Sequence, residues 1–385
     1  MLGNRSMMAL AGLLGIGVVG CGGGHGKQDA GAGNSGAGGV GGAGSTGGVG
    51  GIGTVGSTGD MGGAGGNGGG SVVGATWTQR GTKQNWVSVA SSADGTKLVA
   101  LARYGYIYTS ADSGATWTAR GTSQAWMSVA SSADGVKLVA LEYDGKAYGG
   151  HAYTSADSGV TWTQQGIAQP WTSVASSTDG SKLVAVDYGS SDGGHTYTST
   201  DSGMTWAQRG SAQQLTSVAS SADGSKLVTV ASQGSIHTSA DSGVTWTDRG
   251  TSQYWTSVAS SADGSKLVAV ANSDFSGAHG YIYTSSDSGA SWAQTSAQQW
   301  WMSVASSADG SKLVAVSGDD PSGSHGYVYA SSDSGASWAQ TGTQQNWTYT
   351  GTQEDWRAVA SSADGTKVVA VVFGGYIYTW NGPLP

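Results

Sequence analysis

Residues 86–125 read WVSVASSADGTKLVALARYGYIYTSADSGATWTARGTSQA, and this stretch decides the fold. Its opening returns at Trp126, Trp171, Leu215, Trp255, Trp301 and Trp356, at spacings of 40, 45, 44, 40, 46 and 55 residues. Periods of this length mark solenoids, propellers or arrays, in which one supersecondary unit is stacked on its copies. Within the unit, alternation and β-branched content predict four short strands, about 86–92, 96–102, 105–110 and 115–120, named A to D here. No segment keeps a 3.6-residue period, so helices are not expected.

Two turns recur with the strands. Ser-Ala-Asp-Gly joins A to B, from Asp94-Gly95 to Asp364-Gly365; Asp and Gly both tolerate the positive φ of a tight hairpin. Ser-x-Asp-x-Gly-x-Thr/Ser-Trp joins C to D at 110–117, 155–162, 199–206, 239–246, 285–292 and 331–338. Its spacing suits a carboxylate that accepts turn N–H groups, a glycine at positive φ and a Trp that plugs the core. The motif resembles the Asp-box, or bacterial neuraminidase repeat, of sialidase-like β-propellers. That resemblance implies a fold and no activity, since the box is a structural hairpin in those proteins.

The ends of the repeat array imply closure. The last unit stops after strand C at Tyr376-Ile377-Tyr378-Thr379-Trp380, and the chain supplies the missing half-box and strand D at Gly74–Arg80. A solenoid has no use for such a match; a ring does, because it removes exposed sheet ends. The expectation is an all-β, seven-bladed β-propeller of four-stranded antiparallel blades over residues 75–381, closed by its N-terminal strand, with 382–385 as a tail.

Ahead of the repeats, Arg5 precedes an apolar run from Met7 to Val19 that ends in Val18-Val19-Gly20-Cys21. The run has signal-peptide length and is short for a bilayer span. It resembles a bacterial lipobox, which implies a signal peptide over 1–20 and lipidation of Cys21, the single cysteine of the chain. Gly22 follows where an inner-membrane sorting Asp would stand, so an outer-membrane lipoprotein is expected, facing the periplasm or the cell surface. Residues 21–74 are Gly-rich and bury too little to offset their ordering entropy, so a disordered tether is expected. About fifty such residues reach roughly 40 Å. The tether's Gly51-Ile52-Gly53-Thr54-Val55-Gly56 matches a dinucleotide fingerprint by composition alone, with no strand before it or helix after it.

Composition narrows the functions. Of 385 residues 11% are charged, with a net charge of −8, which lacks the basic footprint of a nucleic-acid binder. One cysteine excludes a disulfide framework and a Cys-based zinc site. The two Phe against 16 Trp and 16 Tyr reflect fixed repeat positions.

In propellers the A–B and C–D turns share one face, which is nearly invariant here, and the B–C and D–A connections share the other, which varies. Function carried on scaffolded loops is therefore expected on the second face. Its longer B–C loops carry Glu142, Asp144 and His151; Asp187, Asp192 and His195; Asp274 and His279; and Asp319, Asp320 and His325. Acid beside His is metal-ligand or acid–base chemistry, with Asp192, His195, Asp320 and His325 as candidate calcium or zinc ligands; solvated loops are the alternative. No cofactor is required. The D–A connections repeat Gln-x-Trp: Gln84/Trp86, Gln124/Trp126, Gln169/Trp171, Gln253/Trp255 and Gln299/Trp301, with Glu354 before Trp356 and an extra Gln345/Trp347 from a local duplication. A flat ring beside an amide is the chemistry of sugar binding, and equally of packing between units.

Enzymatic readings meet obstacles. Arg80, Arg120, Arg209 and Arg249 share one repeat position, which argues against the arginine triad of a sialidase. A glycosidase needs two carboxylates at a defined separation. Of 25 acids, 13 sit in the repeat turns and two in the tether, leaving only loop acids from which no pair stands out. The leading expectation is a surface-tethered, monomeric binding propeller for a glycan or a protein partner, meeting the membrane only through its lipid. The alternatives are a polysaccharide-cleaving enzyme using the Asp/His loops and an assembly factor resembling those of photosystem biogenesis.

Overall fold

Each A strand is a run of small and β-branched residues, and in the first, 86–91, all six side chains are buried. Such a run needs a neighbour on both faces, and the architecture provides one. The structure is a computed structural model that describes residues 77–143, 149–189, 193–250, 252–274, 277–296, 298–319, 326–341 and 355–384.

Among the described residues every strand pair is antiparallel, and the strands group into seven four-stranded meanders in the order A, B, C, D. Unit three shows the pattern plainly, as Trp171–Ser176, Leu183–Asp187, Gly194–Ser199 and Ala207–Gln213. Where connections are short, strands run together. Leu98–Ser110 holds B and C of unit one, and Thr118–Ser131 holds D of unit one and A of unit two. In unit seven, Asp355–Ser361 is A and Lys367–Asn381 holds B and C. Strand D of that unit comes from the N-terminal strand, where Thr78, Gln79 and Arg80 pair with Thr379, Tyr378 and Ile377.

Ring closure is visible in single bonds. The A–B turn of each unit donates a backbone N–H to the next turn, from Ala93 to Ala133, Thr178, Ala222, Ala262, Ala308 and Ala363 in succession, and Ala363 donates back to Ala93, all at 2.7–2.8 Å. A second set lies deeper on strand A. The buried hydroxyls of Ser88, Ser128, Ser173, Ser217, Ser257 and Ser303 each accept the N–H of the following unit's valine, from Val129 to Val359, at 3.2–3.3 Å. In unit seven Ala358 takes this serine's place. The core is correspondingly divided. Seven hydrophobic clusters each straddle two consecutive units, and the one that closes the ring joins Trp86 and Val89 to Val371 and Ile377. This is a β-propeller.

The turn face is built as its sequence implies. In the first Asp-box, Asp112 accepts the Ser110 hydroxyl at 2.8 Å, the Thr116 N–H at 2.9 Å and the Thr116 hydroxyl at 2.6 Å. Those bonds, led by the Thr116 hydroxyl, hold its carboxyl down at about 2. The Trp117 indole N–H donates to Gly114 O at 3.0 Å. The box Trp residues are half-buried lids packed against the clusters rather than fully enclosed core. Ser113 N–H donates to Thr96 O, which binds the C–D turn to the A–B turn of its unit and sets both on one face. At the tail, Leu384 is buried in the cluster between units six and seven, so the packed chain continues past residue 381.

Candidate functional site on the loop face

The Gln-x-Trp motif has a structural solution. Trp86, Trp126, Trp171, Trp255, Trp301 and Trp356 are all at most 3% exposed, so no ring face is open to a ligand. Each stands edge-on to the strand-C Tyr of its own unit or tilted against it, at 4.9–5.1 Å between centroids. The sugar-stacking expectation for these six is therefore corrected: they are core, and the ring meets a Tyr. The glutamines are half-exposed, and their backbone extends strand D to pair with a glycine at the head of strand C: Gln84 with Gly375, Gln124 with Gly105, Gln169 with Gly150, Gln253 with Gly234 and Gln299 with Gly280. Gln253 also donates its amide to the Tyr283 hydroxyl at 3.5 Å. Trp347, Gln345 and Glu354 lie outside the described residues, as does Cys21.

The repeated strand-D arginines are also structural. Arg80, Arg120, Arg209 and Arg249 each donate Nε to a strand-C threonine hydroxyl at 3.0–3.4 Å.

The acid–histidine loops resolve differently in each unit. In unit two, Glu142 Oε1 lies 3.2 Å from His151 Nδ1 and accepts the His151 backbone N–H at 3.3 Å. In unit three the acid bound to residue 195 is Asp187, only 2% exposed, which accepts the His195 backbone N–H at 2.6 Å and the Tyr197 hydroxyl. Burial pushes the Asp187 carboxyl up, against those bonds, and burial with the nearby Asp187 pushes the Tyr197 hydroxyl up. Asp187 is thus a clamp on its loop. Asp192, Asp320 and His325 lie outside the described residues, and His195 is half-buried. In unit five Asp274 accepts its own loop's Ala278 N–H at 3.0 Å, and the His279 ring sits 6.3 Å from that of Trp300. Among the described residues no group of three or more His, Cys, Asp or Glu is placed to hold a metal ion.

What the loop face does present is rings. The residue after the strand-C glycine is Tyr106, His151, His195, Tyr281, Tyr327 or Tyr376 in six units, and Ser235 in unit four. Tyr106 is 45% exposed and the others are half-buried. Beside them Tyr104 is 64% exposed and Phe373 is 39% exposed, on the B–C turns of the adjoining units one and seven. Tyr104 holds φ +57°, a conformation that unit seven gives to Gly374. The Arg103 guanidinium lies over the Tyr104 ring at 5.5 Å, and that of Arg357 over Phe373 at 5.3 Å. Arg357 also donates to Asp355 at 2.5 Å. Burial pushes the Asp355 carboxyl up, opposed by Arg357 beside it and helped by the Asp319 charge. Sequence reasoning passed over these residues. The signal was available as departures from the repeat: Asp355-Trp356-Arg357 where unit one reads Asn85-Trp86-Val87.

Solved structures place this architecture. The chain is similar to the GH74 enzyme of Niastella koreensis (TM-score 0.64, 15% identity, 79% of this chain and 53% of that one). It is similar to the GH74 xyloglucanase of Xanthomonas campestris (TM-score 0.61, 17% identity, 80% and 54%) and to YCF48 bound to D1 peptide (TM-score 0.58, 14% identity, 80% and 97%). The chain thus spans about half the length of the two GH74 enzymes and nearly all of YCF48. At these identities the likeness is one of fold. No protein-family model matches the sequence, and no curated protein does.

Proposed function

We propose that this chain is a lipid-tethered, non-enzymatic binding propeller of the bacterial outer membrane, and that its ligand docks across the loop face. The observation that carries the reading is the rim of aromatic and imidazole rings at the head of strand C in six of seven units, on the face where the repeats vary. Rings held by strand ends are rigid, amphipathic contact area with little rotamer entropy to lose on binding. The carboxylates of the opposite face are occupied: six Asp-box and seven A–B turn aspartates each accept bonds from their own turn, as Asp112 and Asp94 do. Quasi-equivalent rim sites would each bind weakly and gain by acting together on a long ligand. The similar propellers include an enzyme named for xyloglucan and a protein bound to a peptide, both extended polymers.

The test is a rim variant, Tyr106→Ser with Tyr281→Ser and Tyr327→Ser, matching the Ser235 of unit four. Binding of the full chain to xyloglucan and to a peptide library is expected to fall in this variant. It is expected to persist in a turn-face variant, Val160→Ser with Met204→Ser and Val244→Ser. The reverse pattern would move the ligand to the turn face. A reducing-end assay on the same mixtures reads the polysaccharide-cleaving alternative.

A further inference from the structure

The two arginine–aromatic pairs, half-buried arginines beside exposed rings, do not descend from the repeat. Arg103 lies in a B–C turn, where other units carry Tyr143, Tyr188, Ser232, Asn272, Gly318 and Phe373. Arg357 lies on strand A, where the others carry Val87, Met127, Thr172, Thr216, Thr256 and Met302. Duplication therefore does not account for them, yet they produce the same contact, a guanidinium over a ring, on adjoining turns of one face. They are the two such contacts among the described residues. In both, the guanidinium Nε is buried with no hydrogen-bond partner, so packing rather than bonding holds that edge.

The backbone sets their spacing. Phe373 pairs with Asn85, and the next residue, Trp86, pairs with Ala102, which precedes Arg103 and Tyr104. Two strand spacings separate the turns, roughly 10 Å. Tyr104 is held at φ +57° and is 64% exposed, so a strained backbone presents this ring to solvent.

From this we infer that Tyr104 with Arg103 and Phe373 with Arg357 form one two-platform station for a neutral saccharide chain, a ligand class that rests on the loop-face reading above. Three features favour sugar rings. The platforms are flat aromatic faces suited to pyranose C–H groups. Donors and acceptors are mixed, since Arg357 is neutralised by Asp355, with the Asp319 charge close by. A charged polymer of either sign meets a like charge here, whereas a polyol meets both donors and acceptors. The spacing also admits two ring contacts on one chain.

The experiment uses the full chain and soluble neutral polysaccharides (xyloglucan, mixed-linkage β-glucan, mannan and dextran) in affinity electrophoresis. The variants are Phe373→Ala and Tyr104→Gly. Tyr104→Gly suits the positive φ and should melt no lower than the parent, so weaker binding cannot be ascribed to unfolding. The expected result is retardation of the parent by at least one polysaccharide, with each variant weaker by about tenfold or more and Val244→Ser unchanged. A parent that binds a neutral polysaccharide as tightly as both variants overturns the station and leaves the loop-face reading to the rim variant. A parent that binds peptides but none of the polysaccharides overturns the ligand class, and the rim variant again decides the face.

Discussion

The backbone N–H of Ala363 donates to the carbonyl oxygen of Ala93 at 2.7 Å, and the last repeat is thereby bonded to the first as every other neighbour is. The seam between units six and seven, where the N-terminal half-box packs, carries an aromatic cluster. Trp77 stands 6.1 Å from Trp356 and 5.7 Å from Trp380, and its indole N–H donates to Thr341 at 3.2 Å. Trp380 occupies the place of the Asp-box serine, where unit seven has no box. The fourth strand of unit seven is held to the chain's end by hydrogen bonds and packing alone, and these rings reinforce it.

Trp77→Ala should therefore cost about 2–3 kcal/mol, less than a fully enclosed Trp because the ring is half-buried. Thermal unfolding with near-ultraviolet circular dichroism checks it. The aromatic signal of the seam should vanish along with the stability. An unchanged melting temperature would mean that backbone pairing of Thr78–Arg80 suffices to close the ring.

Replacing Ala358 by Ser should raise stability by about 1 kcal/mol, the worth of one added hydrogen bond. Six units place a fully buried serine here to bind the next unit's valine N–H, and unit seven has Ala358, whose side chain cannot accept a bond from Val89. The six existing copies demonstrate that the hydroxyl fits the repeat geometry. A denaturant melt showing a higher midpoint at unchanged slope is the expected result. A lower midpoint would show that unit seven packs more tightly against unit one than its siblings do.

Trp126→Ala and Gln124→Ala should separate sharply. The Trp is 1% exposed and enclosed by two units, so its removal should cost about 3–5 kcal/mol. The Gln contributes chiefly its backbone, through pairing with Gly105, so its truncation should stay within about 0.5 kcal/mol. Equal losses would mean that the amide side chain braces the connection.

The architecture was legible because its signals repeat. Asp94-Gly95, the Asp-box and the half-box before Arg80 each state a local geometry, and seven statements of one geometry leave little choice of fold. The site was less legible for the same reason. Trp126 reads alike whether it stacks on a sugar or on Tyr153, since both uses need the same ring, and only the 5.1 Å contact decides. The strand-C glycines escaped notice although they recur without exception from Gly105 to Gly375. At Gly194 an added Cβ would lie 2.0 Å from the Asp187 carbonyl oxygen, so the position is reserved by close backbone approach, which no motif spells out. Tyr104, Asp355 and Arg357 are single departures from the repeat, and attention to the consensus passes over departures.

Unit four should make the propeller sensitive to acid. There the Trp–Tyr pair of the other units is replaced on both sides, by Leu215 and His237. The Gln213 amide donates to His237 Nε2 at 2.9 Å, which places the ring proton on Nδ1, buried and without a partner. Protonation would add a second ring N–H facing the same amide donor, in a largely buried site. Burial accordingly pushes the His237 pKa below its ordinary 6.5, against the pull of its cross-strand neighbour Asp248. The sign follows from linkage. Well above pH 6.5 neither the folded nor the unfolded imidazole is charged, and the protein is at full stability with respect to this group. As pH falls below 6.5 the unfolded chain takes up a proton that the folded one refuses, so stability drops until the folded pKa is passed. The turn aspartates do not mask this, because carboxyls held near 2, such as Asp112 and Asp241, withdraw their support only as pH falls through the range below about 4. Melting temperatures of the parent between pH 7.5 and 5 should therefore decline, and His237→Tyr paired with Leu215→Trp, which restores the repeat pair, should flatten that decline. Parallel curves for parent and double variant would remove His237 as the source of the acid sensitivity.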